Sequence, residues 1–299
     1  MKVNSEDKYL LIINPAAGRG RTQTLFPSIQ KTLQNEQISF EICFTSKPRD
    51  ATILARDGVS RGRTHIIAVG GDGTIHEVAN GIIGTSATLC AIPTGSGNDF
   101  CKALQIPLNP KEAVHVLLRN CQRLVDVGKL GDRYFVNGFG MGLDGAVSMR
   151  FRKTRWLRGK AGYLLGSIYE ALTYKSCGLQ MTTPTGKRTG KVLMSGASNG
   201  PVQGGDFRVA PDAQLSDGLL DFHWITDMPP LRRLAQIPKV RKGTHLSLPE
   251  VLIEKSQWAE IEVPELIPAH MDGEPLILQA GAHRIEVVPK ALRVICAST

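Results

Sequence analysis

Short apolar runs alternate with helix-like patterns over residues 1–126 of the chain. The apolar runs, each of strand length, are Tyr9–Ile13, Ile38–Phe44, Ile66–Val69 and Ala87–Ile92. Helix-like patterns follow at about residues 24–36, from Pro48 onward, from Ile75 onward and at about Pro110–Leu118. Because parallel strands need crossover connections, this alternation predicts a parallel, doubly wound α/β sheet with right-handed crossovers.

The pattern changes after Asp126. The later segments are short and β-branched or alternating, and turns separate them: Arg133–Phe139, Gly190–Ser198, Leu219–Ile225, Val251–Lys255, Trp258–Val263 and Arg284–Val288. Such segments are typical of an antiparallel sheet or sandwich. We therefore predict an N-terminal α/β domain over residues 1–126 and a C-terminal antiparallel β-sandwich domain over residues 127–288. Residues 289–299 are a candidate for completing the first domain.

Ile66–Asn80 predicts a strand, a glycine loop and a helix in direct succession. Glycines let a ligand approach the backbone closely, and free N–H groups at a helix N-terminus favour an anion. The motif Gly70–Thr74 therefore predicts a phosphate site. Asp72 would repel phosphate unless a divalent cation bridges the two groups. The alternative interpretation is a tight turn in which Asp72 caps the helix.

Two more glycine-bearing loops follow predicted strands, namely Asn14–Gly20 and Pro93–Phe100. In the second loop, the alternative to ligand binding is a turn in which Ser96 or Asn98 caps a helix. All three loops leave the carboxyl ends of parallel strands, where ligands bind in doubly wound sheets, so they are expected to face one ligand. Gly140–Gly145 also spells GxGxxG, but we do not expect a dinucleotide site there, because the chain that follows is predicted to be largely β.

Composition and charge narrow the class of protein. The 299 residues are 42% hydrophobic and 21% charged, which is typical of a globular protein with a sizeable core. No apolar run approaches the ~20 residues that span a bilayer. The N-terminal apolar run of five residues is too short for a signal peptide, and the six cysteines show no CxxC pairs. We therefore expect a cytoplasmic protein with reduced cysteines and without a zinc site.

A net charge of +9 favours an anionic partner. The segment Arg150–Lys160 contains six basic residues and Trp156, and helical spacing of apolar residues follows it. This pattern indicates contact with an anionic membrane surface, and a merely solvated basic face is the alternative. We expect no nucleic-acid partner, because the chain carries no known nucleic-acid-binding motif.

Five motifs resemble the diacylglycerol kinase catalytic-domain family, most closely the soluble bacterial diacylglycerol and YegS-like lipid kinases. They are GGDGT at Gly70–Thr74, PTGSGNDF at Pro93–Phe100, VDVGK at Val125–Lys129, PDAQLSDGLL at Pro211–Leu220 and MDGEP at Met271–Pro275. The motifs occur in the family's order, and the resemblance extends from Asn14 to beyond Glu274. GGDGT alone is shared with NAD kinases, whereas the later motifs are more specific.

The resemblance implies a NAD kinase/diacylglycerol kinase-like fold that binds ATP between an α/β domain and a lipid-substrate β-sandwich domain. The family's nucleotide-binding positions match Asn14, Pro15, Ala16, Ala17, Gly18, Thr45, Gly70, Gly71, Asp72, Gly73, Thr74, Ile75, His76 and Ser96. Its catalytic carboxylate, the expected general base, matches Glu274, and Asp72 would help to hold the catalytic Mg²⁺. The acid of VDVGK matches Asp126, which is expected to be a further catalytic residue. The ligands of a structural Mg²⁺ match Gln214, Asp217 and Leu219. Arg19 stands where a bacterial relative carries Lys, which changes the hydrogen-bonding geometry of the cation.

The function implied is an ATP- and Mg²⁺-dependent lipid kinase that converts diacylglycerol to phosphatidic acid and contacts the anionic membrane peripherally. Other acceptors with a free hydroxyl, such as a sphingoid base, ceramide, a monoacylglycerol or a polyprenol, stay open, as does the oligomeric state. One alternative is an NAD kinase-like enzyme with a soluble acceptor. The other is a catalytically silent protein that binds anionic membranes.

Overall fold

The structure, a computed structural model, describes residues 9–154 and 159–297, except the side chains of residues 159 and 160. The chain divides into two compact units. Unit 1 consists of Met1–Val125 together with Lys290–Thr299, and unit 2 consists of Asp126–Pro289. The C-terminal segment therefore returns to the unit that contains the N-terminal strands.

Unit 1 is built on a parallel sheet. Its strands are β1 (Tyr9–Ile13), β2 (Phe40–Phe44), β3 (His65–Gly70) and β4 (Thr88–Pro93). Residues Arg293 and Val294, near the end of the last strand of the chain, pair in parallel with β4. The strand order is last strand, β4, β3, β1, β2. Every residue of β1, β3 and β4 is buried, as expected for parallel strands that are covered on both faces.

Helices connect these strands. They are α1 (Arg21–Asn35), α2 (Asp50–Ser60), α3 (Asp72–Ile82), α4 (Asp99–Ala103) and α5 (Pro110–Arg119). Helix α2 begins two residues later than Pro48, because Arg49 has a left-handed φ of 71° and the Asp50 carboxylate accepts the N–H groups of Ser46 and Lys47. The predicted doubly wound α/β fold is thus confirmed for unit 1.

Unit 2 is mainly antiparallel β-structure. Its strands are β5 (Gln122–Leu130, which begins in unit 1), β6 (Arg133–Phe135), β7 (Gly138–Gly142), β8 (Cys177–Thr183), β9 (Gly186–Ser198), β10 (Leu220–Thr226), β11 (Val251–Ser256), β12 (Trp258–Val263), β13 (Ile267–Met271), β14 (Glu274–Leu278) and β15 (Gly281–Ile295, which ends in unit 1). The first half of β9 pairs with β8, and its second half lies between β7 and β10. Fully buried Phe135, Phe139, Phe222 and Ile261 belong to one core cluster, so the predicted β-sandwich class is confirmed.

Three helices lie in the described part of unit 2: α6 (Leu143–Lys153), α7 (Gly159–Thr173) and α8 (Pro230–Lys242). Helix α6 follows β7 directly, so the expectation of a largely β chain after Gly140–Gly145 was wrong at this point. The GxGxxG segment nevertheless forms no βαβ unit, because β7 is antiparallel to both of its neighbours, β9 and β13. Within the described residues, no helix is long and apolar enough to cross a membrane.

Candidate functional site

The three glycine loops of unit 1 leave neighbouring strands at the same edge of the sheet. In the register, Ile13 of β1 is opposite Val69 of β3, and Gly70 is opposite Pro93 of β4. The chain passes from β1 outward to β2 and then back across to β3, so β1 and β3 enclose the switch point of the sheet. Ligands of doubly wound sheets bind outside the carboxyl ends of the strands at this point. The loops after β1 and β3 flank it.

The loops are in direct contact. Gly18 has a left-handed φ of 57°, and a Cβ atom there would lie 2.4 Å from the carbonyl oxygen of Thr94. A Cβ atom on Gly95 would lie 2.5 Å from the Cα atom of Gly71. A side chain at either glycine would force the loops apart. The hydroxyl groups of Thr22 and Thr94 also form a buried hydrogen bond of 2.6 Å.

Helix α3 begins at this junction without a side-chain cap, because its N-cap residue is Gly71. The Asn14 amide donates to the Thr74 hydroxyl at 3.2 Å and thereby joins the first loop to the helix. The junction therefore has the features of an anion site: a helix N-terminus, adjacent glycines and short polar side chains.

The predicted nucleotide-binding residues differ in whether their side chains and N–H groups are accessible to a ligand. Ile75 and His76 are buried, and the N–H group of Ile75 already donates to the carbonyl of Gly71. Thr45 follows β2 at the same edge of the sheet, where its N–H group donates to Ile13, and the side chain of Ser96 is exposed. Of these four residues, Thr45 and Ser96 are thus better placed for a ligand contact.

Asp72 joins the second loop to the third. Its two carboxylate oxygens accept the backbone N–H groups of Asn98 and Asp99, each at 2.6 Å. The residue thus bonds to the start of α4, although it lies in α3. Burial, together with the negative charge of Asp99, raises the pKa of Asp72. A divalent cation beside Asp72 would offset the repulsion from Asp99, and the metal-binding role of Asp72 stays a prediction.

The predicted general base lies directly after a tight turn in unit 2. Strands β13 and β14 pair up to Met271 and Glu274, which leaves Asp272 and Gly273 as the two turn residues. Both have positive φ values, 49° and 82°, as in a type I′ hairpin turn. The Asp272 carboxylate accepts the N–H groups of Val136, Asn137 and Gly138 at 2.8–3.0 Å. Asp272 therefore anchors the turn that presents Glu274.

The carboxylate of Glu274 has a partner that the sequence did not reveal. Arg152 of α6 donates to its Oε2 atom. The neighbouring Arg150 bonds to Glu170 at 2.5 Å and stacks over the ring of Tyr169. The sequence pattern predicted that these two arginines contact membrane lipid, but in the structure each pairs with a glutamate of unit 2. Arg155, Trp156 and Arg158 of the same basic segment, and the side chain of Lys160, lie outside the described residues.

A second acid–base pair lies beside the turn and was also missed. His270 of β13 approaches Asp144 of α6 with 2.8 Å between Nε2 and Oδ2. Burial opposes ionisation of Asp144, but His270 outweighs it, so the pKa of Asp144 lies below its usual range. A Cβ atom on Gly140 would lie 2.3 Å from the Asp144 carboxylate. Gly140, the first glycine of the GxGxxG segment, thus makes room for this pair, and this glycine was the signal available in the sequence.

Unit 2 also contains an apolar pocket between its helices and strands. Its lining includes Leu143, Val147, Ala171, Leu193, Met228 and Ile237, and Asp144 and Tyr163 supply polar groups. The Tyr163 hydroxyl group lies 3.4 Å from Asp144 Oδ1. The pocket is therefore an apolar space with an acidic group in its wall, suited to a chain-like ligand that carries a polar end.

Asp126 supports the loop that contains the predicted structural magnesium ligands. Its carboxylate accepts the N–H group of Gly218 at 2.7 Å, and its own N–H group donates to Leu215 at 2.7 Å. Asp126 is 1% exposed, so it binds the loop from the buried side. The catalytic role predicted for Asp126 stays a prediction.

The predicted ligands of the structural magnesium ion have other surroundings. Asp217 accepts the N–H group of Leu219 with Oδ1 and bonds to the Lys255 ammonium group with Oδ2 at 2.8 Å. Gln214 is exposed. Among residues 9–154 and 159–297, no group of three or more His, Cys, Asp or Glu side chains is placed to hold a metal ion. A magnesium ion does not fit beside an ammonium group that already occupies the carboxylate.

Comparison with known proteins gives consistent matches to both units. The model of the diacylglycerol kinase catalytic domain matches residues 8–130, and that of the YegS C-terminal NAD kinase beta sandwich-like domain matches residues 138–296. A probable lipid kinase YegS-like from Chromohalobacter salexigens is 32% identical over 234 residues, 76% of this chain and 74% of that protein. Another from Serratia proteamaculans is 31% identical over 296 residues, 95% and 92% of the two chains.

Solved structures resemble the fold as well. The crystal structure of a candidate diacylglycerol kinase from Bacillus anthracis strain Sterne superposes with a TM-score of 0.81. The two sequences are 27% identical, and the match covers 97% of each chain.

Proposed function

The chain belongs to the diacylglycerol kinase catalytic-domain family, among the YegS-like lipid kinases, and we propose that it transfers the γ-phosphoryl group of ATP to the hydroxyl group of diacylglycerol. The main support is the convergence of three glycine loops on the uncapped N-terminus of α3 in unit 1. Phosphoryl transfer depends chiefly on positioned phosphates and on neutralisation of their charge. A glycine-rich helix N-terminus suits the first requirement.

The residues of unit 1 bind and orient the nucleotide in this proposal. Backbone N–H groups at the start of α3 bind phosphate oxygens, while Asn14 and Thr74 fix the geometry of the loops. Asp72 keeps the second and third loops together, and its carboxylate would help to hold Mg²⁺. When bound, ATP supplies the phosphoryl group and Mg²⁺ spreads the charge of the phosphates.

Glu274 acts as the general base. It accepts the proton of the lipid hydroxyl group at a carboxylate oxygen while the γ-phosphorus is attacked. Arg152 orients the carboxylate, and the rigid Asp272–Gly273 turn fixes its backbone. Asp126 supports the loop at Leu215–Gly218 in this proposal, and we expect its effect on activity to arise through that loop.

The apolar pocket of unit 2 suits an acyl chain of the substrate. Most of the residues that line it are aliphatic or aromatic, and burial of hydrocarbon stabilises a complex by about 0.8 kcal/mol per CH₂ group. A soluble acceptor such as NAD has no hydrocarbon chain to bury in such a space. The pocket therefore favours a lipid kinase over the NAD kinase-like alternative. The presence of all four acids of the family pattern, Asp72, Asp126, Asp217 and Glu274, argues against a catalytically silent protein.

Filling the pocket should therefore impair catalysis on long-chain lipids. Ala171 lies on α7, is 2% exposed and lines the pocket. We expect Ala171→Trp to lower kcat/KM for a long-chain diacylglycerol by about tenfold or more, because several buried CH₂ groups lose their contacts. The loss should be much smaller for a short-chain analogue. Steady-state kinetics with both substrates, in mixed micelles, measure this difference.

Thr173→Trp is the matched control, because Thr173 is exposed at the end of the same helix and is absent from the pocket lining. Thermal unfolding of both variants checks that they are folded. An equal loss on short and long chains in a folded Ala171→Trp variant would contradict the assignment of the pocket to the acyl chain.

We further propose that α7 contacts the anionic membrane surface. Leu165, Tyr169 and Leu172 are 56%, 49% and 44% exposed, and their spacing places them on one face of the helix. The basic segment that ends at Lys160 precedes this face in the chain. Basic residues followed by an exposed apolar helix face are typical of interfacial helices. Leu231, at the start of α8, is 78% exposed and is another apolar residue open to solvent.

Removing this apolar face should weaken vesicle binding. We expect Leu165→Ser with Leu172→Ser to reduce binding to vesicles that contain anionic phospholipid by about tenfold, because two aliphatic side chains no longer enter the interface. Ile53→Ser with Leu108→Ser replaces exposed apolar residues of unit 1 and is the matched control. Sedimentation with sucrose-loaded vesicles measures binding. Equal binding by the two double variants would contradict this role of α7.

A further inference from the structure

The loop at Pro211–Leu219 is attached to the sheet of unit 2 through a lysine. The Lys255 ammonium group lies 2.8 Å from Asp217 Oδ2 and 3.3 Å from Asp221 Oδ2. Lys255 on β11 and Asp221 on β10 are directly opposite in the antiparallel register. One ammonium group therefore joins a loop carboxylate to a strand carboxylate. This is the place at which the family resemblance implies a structural magnesium ion.

The burial of Asp221 and its closeness to Asp217 favour a cation here. The side chain of Asp221 is 5% exposed, whereas those of Asp217 and Lys255 are 22% and 33% exposed. A nearly buried carboxylate is strongly destabilising unless it is paired. Two carboxylates that share a site repel one another, and a single cation between them offsets both the repulsion and part of the cost of burial. Lysine can fill this role because its ammonium group is a compact charge with three donors on a flexible stem.

Other bonds complete the attachment of the loop. Asp217 Oδ1 accepts the N–H group of Leu219 at 3.1 Å, and the Asp126 carboxylate accepts that of Gly218 at 2.7 Å. Both oxygens of Asp217 thus have donors, and one of these donors is positively charged. A divalent ion at Asp217 would have to displace the ammonium group or tolerate a like charge close to it.

We propose that the Lys255 ammonium group replaces the structural magnesium ion in this protein, so that the loop at Pro211–Leu219 is held without metal. The cation is built into the chain, and the stability of unit 2 does not depend on the magnesium concentration. Any requirement of the kinase for Mg²⁺ then arises from the nucleotide alone. The inference concerns folding and remains testable whatever the lipid acceptor is.

The test compares thermal unfolding in EDTA and in millimolar MgCl₂, without nucleotide. We expect the wild type to unfold at the same temperature in both. Lys255→Met removes the cation but keeps the length of the side chain, and its midpoint in EDTA should be lower by roughly 5 °C. Mg²⁺ should raise the midpoint of this variant, because Asp217 and Asp221 then attract the divalent ion. Lys255→Arg keeps the positive charge, so its midpoint should be insensitive to Mg²⁺ like that of the wild type.

The double variant Lys255→Met with Asp217→Asn separates this effect from general binding of Mg²⁺, because it removes the loop carboxylate as well. Its midpoint should be insensitive to Mg²⁺. The proposal is overturned if the wild type loses stability in EDTA and Asp217→Asn does not, or if metal analysis after gel filtration finds a bound magnesium ion that Asp217→Asn removes. It is equally overturned if Lys255→Met unfolds like the wild type or gains no stability from Mg²⁺.

Discussion

Glu274→Gln should lower kcat by about 10²–10⁴-fold while nucleotide affinity stays within about twofold of the wild type. The amide keeps the size of the side chain and can still accept a bond from Arg152, so the local structure should persist. It cannot take a proton from the lipid hydroxyl group. Steady-state phosphorylation of diacylglycerol measures kcat, and equilibrium binding of ATP measures the affinity.

Glu265→Gln is the matched control for this change, because Glu265 is an exposed acid seven residues before Asp272, the first residue of the turn. It should leave both kcat and nucleotide affinity unchanged. Wild-type turnover in the Glu274→Gln variant would remove Glu274 from the role of general base. A large loss of nucleotide affinity would instead assign the residue to ATP binding.

Asp272→Asn, two residues away, should have a different and mainly structural effect. The Asp272 carboxylate accepts three backbone N–H groups from Val136–Gly138, and the residue is 8% exposed. An amide can offer only one oxygen, and its NH₂ group would face N–H donors. Hydrogen bonds to a charged group contribute about 1.5–3 kcal/mol each, so we expect a loss of at least ~3 kcal/mol in the stability of unit 2. Activity should fall as well, because the turn positions Glu274.

Chemical unfolding measures this loss, and amide hydrogen exchange at Val136, Asn137 and Gly138 should become much faster. Asp132→Asn is the control, since Asp132 is an exposed acid in the neighbouring turn between β5 and β6. It should change stability by less than about 0.5 kcal/mol. Unchanged exchange at residues 136–138 in the Asp272 variant would show that this carboxylate does not anchor the turn.

The sequence predicted the phosphate-loop edge of unit 1 well, because its signals are local. Each loop follows a buried apolar strand, and glycine is required where backbones touch, as at Gly18 and Gly95. The parallel topology then brings the loops together without further information. The structural role of Asp72 was harder to predict from the sequence, because its bonds to Asn98 and Asp99 join residues more than twenty positions apart.

The chemistry of unit 2 was harder to predict, because its contacts are distant in sequence. Arg152 and Glu274 are separated by 122 positions, and a run of basic residues gives no sign that one member has an acidic partner. The same limit applies to Lys255, which the β10–β11 register brings opposite Asp221. The apolar pocket depends on how α6, α7 and α8 pack together, and the sequence pattern did not predict α8.

The family resemblance predicted the chemical roles of individual residues, whereas the local sequence pattern predicted only the turns and strands in which they lie. Asp272-Gly273-Glu274 reads locally as a tight turn with an exposed acid, and the structure has that turn. The resemblance added the hypothesis that Glu274 is a base. At Asp217 the resemblance and the structure diverge, because Lys255 bonds to the carboxylate that the family pattern assigns to metal.

Transfer of label from [γ-³²P]ATP to lipid tests the central claim most directly. The purified wild type, with Mg²⁺, is offered mixed micelles of diacylglycerol, monoacylglycerol, ceramide, a sphingoid base and a polyprenol, together with soluble NAD. We predict that label enters the lipid fraction, that mass spectrometry identifies phosphatidic acid as the main product, and that Glu274→Gln abolishes most of the transfer. Label in NADP alone, or no transfer to any acceptor, would contradict the account.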